Sequence, residues 1–339
     1  MTNTSLHQAL TQPPNLALIA NPNSHNVGLN FIADSMPAGT SFSRASSGTE
    51  ISALGTLIVE PLNAPRFDFH PTTLQPRGLL IEGARTNLLL NSATLGTQSI
   101  TVSATTHTLS FYGTGSVTLS GAATGTLNGT GAFPNRANLT FTPSAGTLTL
   151  TVTGSVLHAQ CEVGAFASSW IPTTGAAATR AADNANITDL PTIGFNPLEG
   201  TVLVEFESTV TFASGMPDRF LFSLGTDTIN NARVVIDTTG TIRMASATAG
   251  VTDVNVSDGG GVRPPGFYRV AFAYKENDFA ICTNGGTVVT DSVCVVPPIN
   301  QLRIGQNIIG AVPLFDRMRR LNYTPTRLPN AQLQSLTAS

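Results

Sequence analysis

Apolar and hydroxylated residues alternate along much of this chain. Leu148, Leu150 and Val152 share one parity, with Thr147, Thr149 and Thr151 on the other. Val117 and Leu119 alternate in the same way with Ser116, Thr118 and Ser120. A period of two sends successive side chains to opposite faces of a strand, so both segments predict half-buried strands with one wet, hydroxyl-covered face. β-branched threonine suits a pleated surface, and the intervening glycines supply turns. Between Arg85 and Glu162 the only formal charge is Arg136. Residues 91–183 therefore predict a small antiparallel β-sandwich.

A second alternating region begins at Leu198. In TVLVEFES, Val202, Val204 and Phe206 occupy one face, and Glu205 and Glu207 the opposite one. RFLFSLG, ARVVIDTTGTIRMASA, FYRVAFAYKENDFAICTNGGTVVTDSVCVV and QLRIGQN follow at the strand spacing of a sandwich. Asp237-Thr238-Thr239-Gly240 and Asn284-Gly285-Gly286 read as hairpin turns, where glycine takes the positive φ the turn requires. Asn330 is placed to cap a short final helix that packs Leu333 and Leu336 onto the sheet. The expected fold class is all-β, with tandem antiparallel β-sandwiches at 91–183 and 198–339. An irregular β joint at 31–90 and a Pro-bounded connector at 184–197 link them. Residues 1–30 read as an extended N-terminal arm that docks on a partner through Leu16, Leu18 and Ile19.

Composition supports that outline. Only 11% of residues are charged, while Gly (31) and Pro (21) are abundant, which favours short strands and turns over charge-covered helices. A net charge of −3 argues against a sequence-independent grip on nucleic acid. Lys275 is the only lysine; arginine suits carboxylate and interface contacts, and a GC-rich codon bias accounts for the preference equally well. The start lacks a basic, then apolar, signal-peptide pattern, and no apolar run reaches the roughly 18 residues of a membrane span. Cys161, Cys282 and Cys294 show no CxxC spacing. A turn at Gly285-Gly286 sets Cys282 opposite Val289 and Cys294 opposite Asn277, so all three read as buried, unpaired thiols.

Catalytic patterns are sparse. His7, His25, His70, His107 and His158 are scattered without metal-ligand spacing, and there is no GxSxG elbow or phosphate loop. Asp227, Asp237, Asp253 and Asp258 are separate loop acids with no EF-hand pattern. Glu205 and Glu207, about 7 Å apart on one strand face, satisfy the carboxylate separation of a glycosidase, although a solvated outer face is the plainer reading. Sugar binding without chemistry asks only for aromatic faces and a few donors. Tyr112, Trp170, Tyr268 and Tyr274 are the aromatic candidates; Tyr268, Tyr274 and the loop around Asn284 lead, and Trp170 reads as a core or joint residue. No catalytic residue, metal or cofactor is expected.

Two stretches reach beyond fold class. SFSRASSGTEI (41–51) with PRFDFHPTTLQPRGLLIEGARTNLLLNS (65–92), and AQCEVGAFASSWIPTTGAAATRAAD (159–183), resemble a family of tailed-bacteriophage structural proteins, tail fibre or minor tail proteins. Similar flanks there bracket a carbohydrate-binding-module-like jelly roll. The C-terminal part is similar to a laminin-G or concanavalin-A-like sandwich. Where family members often carry an acidic pair, this chain has Glu82-Gly83. The resemblance implies a virion component assembled in the host cytoplasm beside other virion proteins. A tail fibre contacting host surface glycans leads, ahead of a capsid-decorating or head-fibre protein and of a polysaccharide depolymerase, which usually requires a long β-helix. Within these motifs Arg66 and Asp68 are expected to pair locally, Glu82 and Arg85 with each other or with a neighbouring subunit, and Arg180 and Asp183 to close the module from its far side. The apolar runs Leu79–Ile81 and Leu88–Leu90 then suit an inter-subunit contact, and a homotrimer is expected, held partly through 65–92.

Overall fold

A computed structural model describes residues 27–212 and 216–338. The arm residues Leu16, Leu18 and Ile19 lie outside the described residues. Nearly all regular structure is antiparallel strand, as the alternation predicts, but the two sandwiches are nested rather than consecutive.

The larger sandwich draws on both ends of the described chain. Its first sheet orders Val289–Asp291, Phe279–Thr283, Gly266–Lys275, Glu199–Ser208, Asp316–Thr324, Pro76–Ile81 and Phe67–Phe69, and Val27–Asn30 also pairs with Asp316–Thr324. Facing it, the second sheet orders Ser41–Ser43, Asn184–Ile187, Gln301–Ile304, Arg219–Asp227, Asn230–Ile236, Ile242–Thr248 and Val251–Ser257. Val202, Val204 and Phe206 from one sheet meet Phe222, Val234 and Met244 from the other in a single core. On Glu199–Ser208 the alternation holds to the letter, with Glu205 and Glu207 turned outward.

The smaller sandwich is inserted into this frame. One sheet orders Gly125–Asn128, Ser116–Gly121, Gly146–Thr153 and Gln98–Val102; the other orders Ala137–Phe141, His107–Tyr112 and Leu157–Val163. Val117, Leu119, Leu148 and Leu150 fill its core with Leu109, Phe111 and Cys161. The outer face is a hydroxyl ladder, typified by Thr118–Thr126 at 3.1 Å and Ser99–Thr149 at 2.9 Å. The chain enters through Arg85–Asn87 and leaves through Ala178–Arg180, which pair antiparallel as a two-stranded neck.

This nesting corrects two boundaries. The 31–90 region is not a separate joint: Ser41–Ser43, Phe67–Phe69 and Pro76–Ile81 are members of the large sheets. Phe67, Leu79 and Ile81 needed a core, and the Asp316–Thr324 strand offered the edge on which to build one. The supposed connector supplies strand Asn184–Ile187 and a short 3-10 turn, because Ala185, Ile187, Leu190 and Ile193 anchor it in that core. Leu79–Ile81 and Leu89 are thus consumed within the chain rather than left for a subunit contact.

Local details shift as well. Asn284 (φ 47°) and Gly285 (φ 70°) form the centre of the Thr283–Gly286 turn, and Ile281 rather than Cys282 opposes Val289. Cys294 does face Asn277, and all three thiols are buried and free. The final helix starts at Asn330 with Pro329 preceding it, so Asn330 is its first residue and not its cap. Leu333 nevertheless packs on Leu203, Ala271 and Cys282, with Leu336 beside it.

Candidate functional site

Arginine defines two places in this molecule. Fourteen of the seventeen basic side chains have a carboxylate within 4 Å. Only Arg136, Arg233 and Arg303 lack one among the described residues, and the last two share a sheet face.

The first place is the neck of the insertion. Arg66 reaches Glu82 at 2.7 Å and Asp183 at 2.5 Å, Arg44 meets Asp183 at 3.1 Å, and Arg180 meets Glu82 at 3.1 Å. All five are buried. The backbone joins in: the Glu82 amide donates to Asp183 at 2.8 Å, and the Asp183 amide donates to the Glu82 carbonyl at 2.9 Å. The Ser169 amide and hydroxyl donate to Glu82 at 2.8 and 2.6 Å. Burial alone would push the Glu82 carboxyl up; Arg180, Arg66 and Ser169 overcome it and hold it far below the usual carboxylate range. Burial likewise opposes the charge on Arg66, and Asp183 and Glu82 reverse that. Beside this cluster, Asp68 accepts Arg317 at 2.7 Å and Asp316 accepts Arg219 at 3.2 Å.

The expected local pairs are therefore rearranged. Arg66 bypasses Asp68 for Glu82 and Asp183, and Arg85 turns to Glu162 at 3.5 Å. Arg180 and Asp183 do close the module, as expected, but as buried charges. Trp170 is a joint residue, its indole donating to Ser92 at 3.2 Å. Sealed from water, with most of its donors and acceptors paired and only the Arg66 and Arg180 Nε atoms left over, this cluster fastens the insertion.

The second place is the outer face of the seven-stranded sheet. Cross-strand register lines up Ser41, Asn186, Arg303, Ser223, Arg233, Ala245 and Asn255 in one row across all seven strands. Each alternates with core residues on its own strand, such as Phe222 and Leu224 around Ser223 and Val234 beside Arg233. Along Asn230–Ile236 runs an open groove of about 530 Å³. Ala245 forms part of its floor, Phe220, Arg233, Arg243 and Asn255 its sides, and the Thr228 and Asp237–Thr239 turns its ends.

Its polar groups are held in place by local bonds. Asp237 accepts the Thr239 amide at 2.8 Å and the Thr241 amide at 3.2 Å, then meets Arg243 at 2.8 Å. Slight burial raises the Asp237 carboxyl, but its threonine bonds outweigh that and lower it. Arg243 also donates to Asn255 at 2.8 Å. The Asn231 amide donates to the carbonyls of Asp227 and Thr228 at 3.0 and 2.9 Å, and its oxygen accepts from Arg233 at 2.7 Å. That bond uses one of the five guanidinium N–H donors. Arg303 donates to the Ile308 carbonyl at 3.2 Å and to Asn184.

The aromatic candidates lie elsewhere. Tyr268 and Tyr274 share the parity of Val270 and Phe272 on Gly266–Lys275 and point into the core of the opposite sheet. Tyr268 donates to the Pro264 carbonyl at 2.5 Å between Phe206 and Phe212, and Tyr274 donates to the Asn196 carbonyl at 2.8 Å. Burial raises both phenols. Neither ring offers a face to a sugar, which corrects that expectation. Asn284 is exposed, but its oxygen accepts the Arg269 amide at 2.8 Å and so serves its own turn. Tyr112 is buried too. Glu205 pairs with Arg269 and Arg320, and Glu207 with Arg77 and Arg319, so both carboxylates are engaged. Sequence reasoning passed over the groove residues: Arg233 and Arg243 sit at outward parity within the expected stretch ARVVIDTTGTIRMASA, whereas strand Val251–Ser257, which carries Asn255, was not among the expected strands.

Comparison with family models and with curated proteins finds no match. Among solved structures, the chain is similar to the Ruminococcus gnavus IT-sialidase CBM40 bound to α2,3-sialyllactose at 16% identity, covering 44% of this chain and 86% of that one, with a TM-score of 0.37. The NanB sialidase of Streptococcus pneumoniae matches at 14% identity over 45% of this chain and 26% of that one, with a TM-score of 0.35. A SAP-like pentraxin of Limulus polyphemus matches at 15% identity over 41% and 70%, with a TM-score of 0.31. Likenesses this distant assign no activity, and the all-β architecture rests on the strand pairing itself.

Proposed function

We propose that the protein is a non-enzymatic structural component of a tailed-phage virion that holds a host surface glycan in the groove of its seven-stranded sheet. The groove carries this reading: a shallow polar channel with fixed amides, threonine hydroxyls and open guanidinium donors suits a polyhydroxylated ligand. The virion setting is supported by the two flanking motifs, whose charged residues fill the neck and give a rigid mounting. A site this shallow binds weakly by itself, and repetition in a symmetric oligomer such as a trimer raises avidity by about 10²–10⁴. The test is host-cell and glycan-array binding by the full chain, next to adsorption of particles lacking it. Binding lost on substitution of Asn255 and Arg243 supports the reading. Unimpaired adsorption without the protein, and no glycan bound, would replace it with a capsid-decorating role.

A further inference from the structure

We propose that the groove selects an acidic glycan, seating a carboxylate or phosphate substituent of the sugar on Arg233. This deepens the glycan-binding reading and rests on it.

The chain otherwise pairs its cations with carboxylates almost without exception, including partly exposed ones such as Arg269 with Glu205 at 3.2 Å. Arg233 is half-buried at mid-groove and has no carboxylate within 4 Å among the described residues. Its one protein bond, to Asn231, orients it: Asn231 is itself pinned by two backbone carbonyls. Donors are left over, and a guanidinium presents them in a planar fork that matches a carboxylate or phosphate with two parallel bonds. Asn231 is thus a positioning residue for the cation.

The other charges on this face give the same direction. Arg243 is neutralised by Asp237, which is locked in its own turn. Arg303 stands in the same cross-strand row as Arg233, one strand beyond Ser223, and adds an unneutralised positive charge. The opposing group is Asp218 at the rim, close enough to favour the Arg233 charge but outside pairing distance. An anionic substituent would supply the contact that Asp218 does not make, while Asn255, Thr238 and Thr239 meet ring hydroxyls and Phe220 offers an apolar edge. At about 3.3 Å per residue, the strand beneath the groove extends over roughly 20 Å, enough for an oligosaccharide.

The test uses the full chain in calorimetric titration with three probes of matched length: a galacturonate oligomer, a glycerol-phosphate oligomer and a neutral galactose oligomer. At least one acidic probe is expected to bind about tenfold tighter than the neutral one, with the preference fading as salt rises, since partly exposed charges are screened. Which acidic probe wins distinguishes carboxylate from phosphate. Arg233→Gln should abolish the preference, so that the acidic probes bind no tighter than the neutral one, and Asp218→Asn should tighten the acidic probe several-fold. Equal binding of all three probes, unchanged in Arg233→Gln, overturns the acidic selectivity and leaves the groove as a glycan site. No binding of any oligosaccharide overturns the underlying glycan reading instead. A folded Asp218→Asn protein that discriminates no better than wild type also counts against Arg233 as the anion seat.

Discussion

The neck of the insertion and the groove on the outer sheet are built from the same residue and put it to opposite uses. At the neck, three buried arginines meet two carboxylates, and Ser169 and backbone amides complete them. In the groove, Arg233 meets one amide oxygen and open space. Burying a charge is costly unless it is paired and hydrogen-bonded, so the neck has to be closed before it can be stable. The groove sits at the edge of water, so its arginine can stay incompletely matched at small cost. What separates structure from recognition here is whether the partner of each cation is already present in the chain.

The largest expected effect comes from breaking the neck. Glu82→Gln removes the carboxylate shared by Arg66 and Arg180. It should cost about 3–5 kcal/mol in denaturant unfolding, because it leaves buried cations short of a partner. A loss below about 0.5 kcal/mol, the size of an ordinary surface substitution, would place the cluster outside the stability account. The pH dependence has a definite sign. A carboxyl held below its unfolded value stabilises the fold above the ordinary carboxylate range, and that contribution disappears as pH falls through it.

Glu50 sharpens the contrast, since it is a nearly buried carboxyl beside the neck without an ion-pair partner, and one of its oxygens is unbonded. Burial, with Glu60 and Asp68 close by, pushes it up to about 8. A raised carboxyl means the folded chain holds its proton more tightly, so stability is greatest below pH 4.5 and falls as pH rises toward 8. Glu50→Gln should therefore stabilise by about 1–2 kcal/mol at pH 8 and be neutral at pH 4. Thermal melts at the two pH values check this, and an equal shift at both would show that the substitution acts through packing.

Smaller effects are expected where water already solvates the groups. Arg233→Gln should change stability by no more than about 0.5 kcal/mol, as for other surface positions. Thr149→Ala, which removes one rung of the hydroxyl ladder facing Ser99, should cost only a few tenths of a kcal/mol. A loss above about 1 kcal/mol in either would mean that the face is part of the scaffold.

Much of this fold was legible because period-two alternation decides which side of a strand is buried. It placed Val202, Val204 and Phe206 in the core and Glu205 and Glu207 outside, and it identified the hydroxyl face of the insertion. Nesting was not legible. Nothing local in Pro76–Ile81 or Asn184–Ile187 states that each has a partner 100 or more residues away, as Leu79 has in Met318 and Asn186 has in Ser41, the latter at a separation of 145. The neck was half visible: Arg66, Glu82, Arg180 and Asp183 were singled out, but pairing was assigned by nearness in sequence. The tyrosine candidates were misplaced for a simple reason. Tyrosines were weighed for their chemistry, whereas the parity of Tyr268 and Tyr274 with Val270 and Phe272 already put them inside.

The division between a closed structural cluster and an open recognition groove is tested most directly by measuring both properties on both variants. Unfolding free energy and titration with the acidic oligosaccharide would be followed for Glu82→Gln and Arg233→Gln in parallel with wild type. Glu82→Gln should lose several kcal/mol of stability and, where folded, bind as wild type does. Arg233→Gln should keep its stability and lose the acidic ligand. Stability and binding falling together in both variants would contradict the account, because the two arginine sites would then be one cooperative unit.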